Sequence, residues 1–326
     1  MDKIEIYIDE LLEKSTPDRP IWNIEKILQG LKSTWNYIDG CMIKAILEMY
    51  AITKDEKYFR FADNFIDCKV REDGSIEGYS VEELNIDNVN AGKTLFELYD
   101  LTGKEKYRKA IDLVYSQVAQ MPRTKEGNFW HKNIYPDQVW LDGLYMCQPF
   151  YMEYETRFHE KKNYDDIFRQ FFNVVEHMRD PKTGLYYHAY DSSREMFWCD
   201  KVTGLSQNFW LRALGWYSMA LLDTLDKADA SVGEPYERLK KVFVDLMDAM
   251  LKYQDASGMW YQVVNFGGME KNYLETSGSS IMAYALLKGV RLGFLPENYQ
   301  TYGAKAFHGI CEKYLSEDAD GSLHLD

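Results

Sequence analysis

Tyr50-Ala-Ile-Thr-Lys-Asp-Glu-Lys-Tyr58 returns as Tyr99-Asp-Leu-Thr-Gly-Lys-Glu-Lys-Tyr107, about fifty residues further along the chain. The likeness extends upstream, where Ile38-Asp39-Gly40 matches Ile86-Asp87-Asn88 with one inserted residue between. A third copy opens at Leu141-Asp142-Gly143 and runs through Tyr154-Glu-Thr156 to Lys162-Asn-Tyr164. Apolar residues fall at spacings of three and four, as in Ile43, Ile46, Leu47 and Tyr50, then Phe59, Ala62, Phe65 and Ile66. That period predicts a helix, a short polar turn and a second helix in each copy. Later copies diverge but keep the plan: 208–225 pairs with 234–253, and 277–292 with 296–315.

Between the copies lie turn-rich strips: Glu72-Asp-Gly-Ser, Lys125-Glu-Gly-Asn, Pro181-Lys-Thr-Gly, Asp255-Ala-Ser-Gly and Asp318-Ala-Asp-Gly. Each is a glycine turn, and most are followed by aromatic or alternating residues, which predicts short hairpins at one rim. Repeated helix pairs make an open solenoid or a closed ring. The helix expected over 206–225 is apolar on most sides, which favours closure. The expected fold class is therefore all-α, an (α/α)6 barrel with short β-hairpins at one rim, in a single domain over 1–326. Inner helices are expected from Trp35, Asp87, Asp142, Ser206 and Ser277. No sixth follows Leu323-His-Leu-Asp326, so the last inner helix is expected to be missing, its place partly filled by 1–14 and 21–30.

The 326 residues carry a net charge of −14, with 46% hydrophobic and 15% aromatic residues. This composition supplies a large core. The charge argues against nucleic acid and anionic membrane surfaces as partners. Five scattered cysteines with no CxxC pair read as reduced thiols. An acidic, amphipathic start without an apolar run, and no stretch of membrane-spanning length, lead to an expected cytoplasmic location.

The chemistry-bearing residues gather in the strips and at the helix starts. Asp87 and Asp142 open the second and third inner helices. His131 and Trp140 precede Asp142, and Met146 lies one helical turn after it. His188 stands in the next strip. Trp210, Arg212 and Trp216 fall on the fourth inner helix, with Arg212 and Trp216 on one face. Each aspartate at a helix start is as well placed to cap as to catalyse. Arg212, expected to be buried, needs an anionic partner, either an internal acid or a ligand carboxylate. The sequence has no HExxH, Cys/His cluster, P-loop, GxSxG or dinucleotide glycine pattern, so no metal and no cofactor is expected. Carboxylates among aromatics suit a carbohydrate enzyme.

Trp140-Leu-Asp-Gly-Leu-Tyr-Met146, Pro149-Phe150, Phe209-Trp-Leu-Arg-Ala-Leu-Gly-Trp216 and Leu274-Glu-Thr-Ser-Gly-Ser279 together resemble glycoside hydrolase family 105, the unsaturated rhamnogalacturonyl hydrolases. The likeness runs from Trp35 onward. It implies an (α/α)6 barrel acting on lyase-generated oligosaccharides that end in a 4,5-unsaturated uronic acid, as in pectin degradation. In that family an aspartate protonates C4 of the double bond and activates the water that adds at C5. Asp142 matches it, and Asp87 matches the second aspartate. His188, Trp210 and Arg212 match pocket positions around the ring, with Arg212 suited to its carboxylate; His131, Trp140, Met146 and Trp216 match further lining positions. The alternatives are a family 88 glucuronyl hydrolase, ordinary inverting chemistry with Asp87 and Asp142 as the pair, and a helical toroid that binds sugar without turnover.

Overall fold

The computed structural model describes residues 2–325; Met1 and Asp326, which end the expected first helix and the last turn strip, lie outside them. The chain divides into two compact units, one formed by residues up to Met121 together with Glu317–His324, the other by Pro122–Ser316 and Leu325 onward.

In the first unit, α1 (Asp2–Glu13) and the short α2 (Ile24–Leu28) precede the first two helical hairpins. These are α3 (Tyr37–Thr53) with α4 (Glu56–Asp67), and α5 (Lys93–Thr102) with α6 (Glu105–Gln120). The repeated nonapeptide is the hinge of each hairpin, and its atoms repeat as its letters do. Lys54 and Gly103 both end the first helix in the left-handed region, at φ 59° and 67°. The Thr53 and Thr102 hydroxyls donate back to the carbonyls of Met49 and Leu98, at 2.7 and 2.6 Å. Each also accepts the N–H two residues on, of Asp55 at 3.1 Å and Lys104 at 3.2 Å. One side chain thus satisfies a helix-end carbonyl and an amide of the turn. The closing tyrosines, Tyr58 and Tyr107, are wholly buried, each contributing roughly 1.5–3 kcal/mol or more of burial.

The second inner segment departs from expectation at its start. Ile86–Gly92 is a 3-10 helix capped by Asn85, and α-helical geometry begins only at Lys93. Asp39 does not cap α3 either. Asn36 does so, while the buried Asp39 carboxylate accepts from Trp22, Ser33 and Asn36 at 2.9, 2.7 and 2.9 Å. Burial pushes that carboxyl above its ordinary range, against the pull of these hydrogen bonds.

The second unit holds α7 (Leu141–Phe158), α8 (Tyr164–Met178), α9 (Leu211–Lys227), α10 (Glu234–Leu251), α11 (Thr276–Arg291) and α12 (Tyr299–Tyr314). α7 packs on α9 and α9 on α11, while α8, α10 and α12 each pair with the helix before them. α7 is buried without interruption from Gly143 to Glu155, as a helix enclosed by neighbours must be. The third copy keeps the hinge threonine: Thr156 donates to Met152 O at 2.7 Å and meets the Tyr164 hydroxyl at 2.6 Å. α9 begins at Leu211, later than the expected 206–208, because 206–210 is held extended. Ser206 N–H donates to Ala189 O at 2.9 Å, and Trp210 bridges to Val263.

The five glycine turns all place their glycine in the left-handed region, four closing on the carbonyl three residues back and Gly184 on the one four back. Gly74, Gly127, Gly184, Gly258 and Gly321 have φ from 79° to 100°. Their N–H groups donate to the carbonyls of Arg71, Thr124, Asp180, Asp255 and Asp318 at 2.8–3.0 Å. Among the described residues no helix is long and apolar enough to cross a membrane.

The turns differ in what surrounds them. A Cβ on Gly258, at φ 92°, would lie 2.4 Å from the Lys305 carbonyl oxygen, whereas one on Gly103 would meet nothing within 4 Å. Gly103→Ala should therefore cost about 1 kcal/mol of strain, and Gly258→Ala about 3 kcal/mol or more. Denaturant midpoints of the two variants check this; equal losses would refute the packing argument.

Candidate active site

The site is built on a short ladder. β1 (Gln138–Trp140) runs antiparallel to β2 (Ala189–Asp191), with Gln138 opposite Asp191 and Trp140 opposite Ala189. These strands come from two different strips, so the pairing is not a local hairpin. One step beyond the ladder, Leu141 N–H donates to His188 O at 3.0 Å. α7 starts at that residue, and Asp142 is in its first turn. Trp140 occupies the cap position in extended conformation and its side chain caps no helix N–H, so Asp142 is not the capping residue.

The consequence is a contact between two chemically active groups. His188 Nε2 lies 3.0 Å from Asp142 Oδ2, with the side chains 24% and 16% exposed. Both atoms are shielded from solvent, yet neither has a hydrogen-bond partner of good alignment. The distance is that of a charge-assisted contact and the direction is off the line of one. Polar atoms held this way are available to a third party.

Aromatic rings wall the pair. Trp140 stands edge-on to His188 at 5.4 Å, and His188 edge-on to Trp210 at 4.9 Å. His131 and Tyr135 lie nearly parallel to Trp140, with centroids 4.5 and 5.3 Å away. The Trp140 Nε1–H donates to Gln138 Oε1 at 3.1 Å, fixing the indole. His131 N–H donates to Gln138 O at 2.8 Å, which folds 131–138 back on itself.

Arg212 is not the buried cation expected. Its side chain is 44% exposed, because it leaves the first turn of α9 at the open helix end. The guanidinium carbon sits 4.5 Å over the Trp210 ring. Its Nη1 is 4.0 Å from Glu275 Oε1, longer than a charge-assisted hydrogen bond. The Glu275 carboxylate is already engaged as the cap of α11, accepting from Gly278 N–H and the Ser277 hydroxyl, both at 2.5 Å. A Cβ on Gly278 would meet Leu211 at 2.5 Å, so only glycine lets α11 start this close to α9.

Met146 and Trp216 lie one turn deeper than Asp142 and Arg212. Met146 is buried, and Trp216 stacks on Tyr145 at 5.2 Å, joining α7 to α9. Asp142, His188, Trp140, His131, Trp210 and Arg212 thus form one chain of contacts, with Met146 and Trp216 behind it. Asp87 belongs to the first unit. It is half-buried in the 3-10 segment, and its N–H donates to Asn85 Oδ1 at 3.1 Å. Sequence reasoning gave no part to Tyr135, Tyr145 or Glu275. The Glu-Thr-Ser-Gly run before a helix was the available signal for the last of these, since an acid three residues before an N–H is a cap pattern.

Comparison with known proteins shows the family. Residues 13–326 match Glycosyl Hydrolase Family 88. The chain is 27% identical over 314 residues to the unsaturated rhamnogalacturonyl hydrolase YesR of Bacillus subtilis strain 168, covering 94% of this chain and 83% of that protein. A family 105 glycoside hydrolase of C. acetobutylicum ATCC 824 superposes with a TM-score of 0.87 at 46% identity, over 92% of this chain and 84% of that one. A possible family 105 member from Salmonella enterica serovar Paratyphi A, at 20% identity, shares the fold with a TM-score of 0.80 over 100% of this chain and 89% of its own. On the family match and the 46% identity to a family 105 enzyme, the chain belongs to the glycoside hydrolases of families 88 and 105, and its fold class is their all-α (α/α)6 barrel.

Proposed function

We propose that this glycoside hydrolase removes a 4,5-unsaturated uronic acid from the non-reducing end of lyase-generated oligosaccharides, with the unsaturated rhamnogalacturonan disaccharide of pectin breakdown as its substrate. The observation that carries the reading is the Asp142–His188 contact at 3.0 Å beside Trp140 and Trp210. The activity in the name of the YesR relative supports the substrate class.

The chemistry needs only one proton-transferring carboxyl. The double bond is an enol ether, so it is protonated on carbon. The Asp142 carboxylic acid gives its proton to C4, and positive charge develops on C5 and the ring oxygen. The resulting Asp142 carboxylate takes a proton from water as the water oxygen bonds to C5. The hemiketal so formed opens at the C5–ring oxygen bond. The hemiacetal left at C1 then collapses to an aldehyde and expels the neighbouring sugar as an alcohol. No enzyme nucleophile is required. His188 holds the Asp142 side chain in position, and Arg212 receives the uronate carboxylate through its exposed guanidinium. Asp87 is assigned the second carboxylate, which binds ring hydroxyls; this role rests on the motif resemblance. His131, Trp140, Met146, Trp210 and Trp216 line the pocket. A cytoplasmic setting goes with thiols at Cys68, Cys199 and Cys311.

The conjugated alkene absorbs in the ultraviolet, so turnover bleaches it. The wild-type protein should bleach the unsaturated rhamnogalacturonan disaccharide faster than unsaturated glucuronyl disaccharides from glycosaminoglycans; the reverse order would transfer the assignment to the glucuronyl substrates. Asp142→Asn should cut bleaching by a factor of about 10³ or more while leaving binding within a fewfold. Turnover that survives this change would remove Asp142 from the mechanism.

Arg212→Ala should act differently. Loss of a charge-assisted contact to the carboxylate should raise KM about tenfold or more, with a smaller fall in kcat. Steady-state kinetics on the same disaccharide separate the two, and an unchanged KM would deny Arg212 its role.

A further inference from the structure

A cavity of about 540 Å³ shares Trp140 and His188 with the site and adds Phe197, Trp198, Gln207 and Asn208. These four residues have no role in the chemistry above. Apart from His188, none of its lining side chains is ionisable. Phe197 is 89% exposed, an unusual place for a phenyl ring on an ordered segment.

The segment is ordered because a buried carboxylate organises it. Asp191, with no exposure, accepts from Ser193 N–H at 3.0 Å, the Ser193 hydroxyl at 2.7 Å and Met196 N–H at 2.8 Å. Lys201 Nζ ties the same turn from the other end, donating to the carbonyls of Arg194, Glu195 and Met196 at 3.1, 2.9 and 2.8 Å. Asp200 then accepts from the N–H groups of Val202 and Thr203, at 2.9 and 2.7 Å. Gly204 closes the loop at φ 79°, where a Cβ would strike Asp191 O at 2.5 Å. This is a sixth glycine turn, inserted between α8 and α9. All of that hydrogen bonding fixes the backbone around two aromatic side chains that the fold leaves out of its core.

We infer that the 191–205 loop presents Phe197 and Trp198 as the platform for the sugar residue joined to the unsaturated uronate, and that this residue is an uncharged pyranose. The inference rests on the proposed reaction and names what that reaction releases. Aromatic faces take the C–H face of a pyranose, and the neutral amides of Gln207 and Asn208 pair with its hydroxyls. A uronate or sulfated neighbour would have to shed its hydration here with no cation among the lining residues to receive it. A loop backbone fixed before binding loses little entropy on occupation.

The test is calorimetric binding to Asp142→Asn protein, with and without the added pair Phe197→Ala and Trp198→Ala. The probes are the unsaturated rhamnogalacturonan disaccharide and the methyl glycoside of the same unsaturated uronate, which lacks the second ring. The paired change should weaken the disaccharide about tenfold and leave the methyl glycoside within twofold. An unchanged disaccharide Kd, an equal loss for both probes, or no binding of the disaccharide by Asp142→Asn protein would each overturn the platform. Bleaching by wild-type protein is read separately. A tenfold, disaccharide-only loss without bleaching keeps the platform and removes the reaction; bleaching without that loss does the opposite.

Discussion

The second unit's site depends on the three-residue ladder between β1 and β2. Side chains alternate along a strand, so a slip of one residue would turn Trp140 and Ala189 to the opposite faces and carry His188 away from the start of α7. Three residue pairs are too few to hold a register by themselves. The neighbours supply the rest. Tyr190 and Ser192 both donate to the Glu126 carboxylate, at 2.9 and 2.6 Å. His177 on α8 stacks on Tyr190 at 5.1 Å. Asp137, in the left-handed region at φ 60°, gives its carbonyl to Ser192 N–H at 2.9 Å. Register, and through it the 3.0 Å approach of His188 to Asp142, is therefore set by polar groups that never touch the site.

The helical hairpins provide stiffness of another kind. In each of the first three copies a threonine hydroxyl closes the last turn of the inner segment, and a buried tyrosine begins the outer helix. Where inner helices must lie close, a small residue intervenes. A Cβ on Gly215 would stand 3.0 Å from Ile281, at the contact of α9 with α11. Side chains on rigid helix starts are placed more accurately than those on free loops. Asp142 and Arg212 both occupy such first turns.

Much of this was legible in the sequence. The hinge nonapeptides, the five glycine turns and the order of helix pairs follow from local chemistry, in which a threonine, a glycine or an apolar period has one cheap structural use. The start of α9 was misplaced because residues 206–210 are held by distant partners, Ala189 and Val263, which no local pattern reveals. The start of α5 was misread for a related reason: the apolar period of 86–102 does not distinguish a 3-10 turn from an α-helical one. Arg212 was expected to be buried since its helix is apolar; one turn of displacement toward the open end changed its environment. The platform on 191–205 escaped notice because Phe197 and Trp198 carry no motif, and their significance lies in exposure on a rigid frame.

Under the proposed function, Arg212 also bears on how an acidic protein would receive an acidic substrate. A net charge of −14 repels a uronate at long range. A guanidinium neutralised by a tight bidentate acid would offer no local remedy. Here the nearest acid, Glu275, has committed its oxygens to Gly278 and Ser277, and Arg212 is left at 4.0 Å. Glu275 therefore orients the guanidinium without saturating it, while the face of Trp210 supports the cation from below at 4.5 Å. Screening shortens the reach of the repulsion to about 8 Å at physiological salt, so one exposed cation at the mouth of the site prevails over the distant surface once the ligand is near. Under the proposed reaction the same placement has a second effect. Positive charge develops at C5 and the ring oxygen in the transition state, and a uronate carboxylate held on Arg212 fixes the orientation of that carbon toward Asp142 and the incoming water.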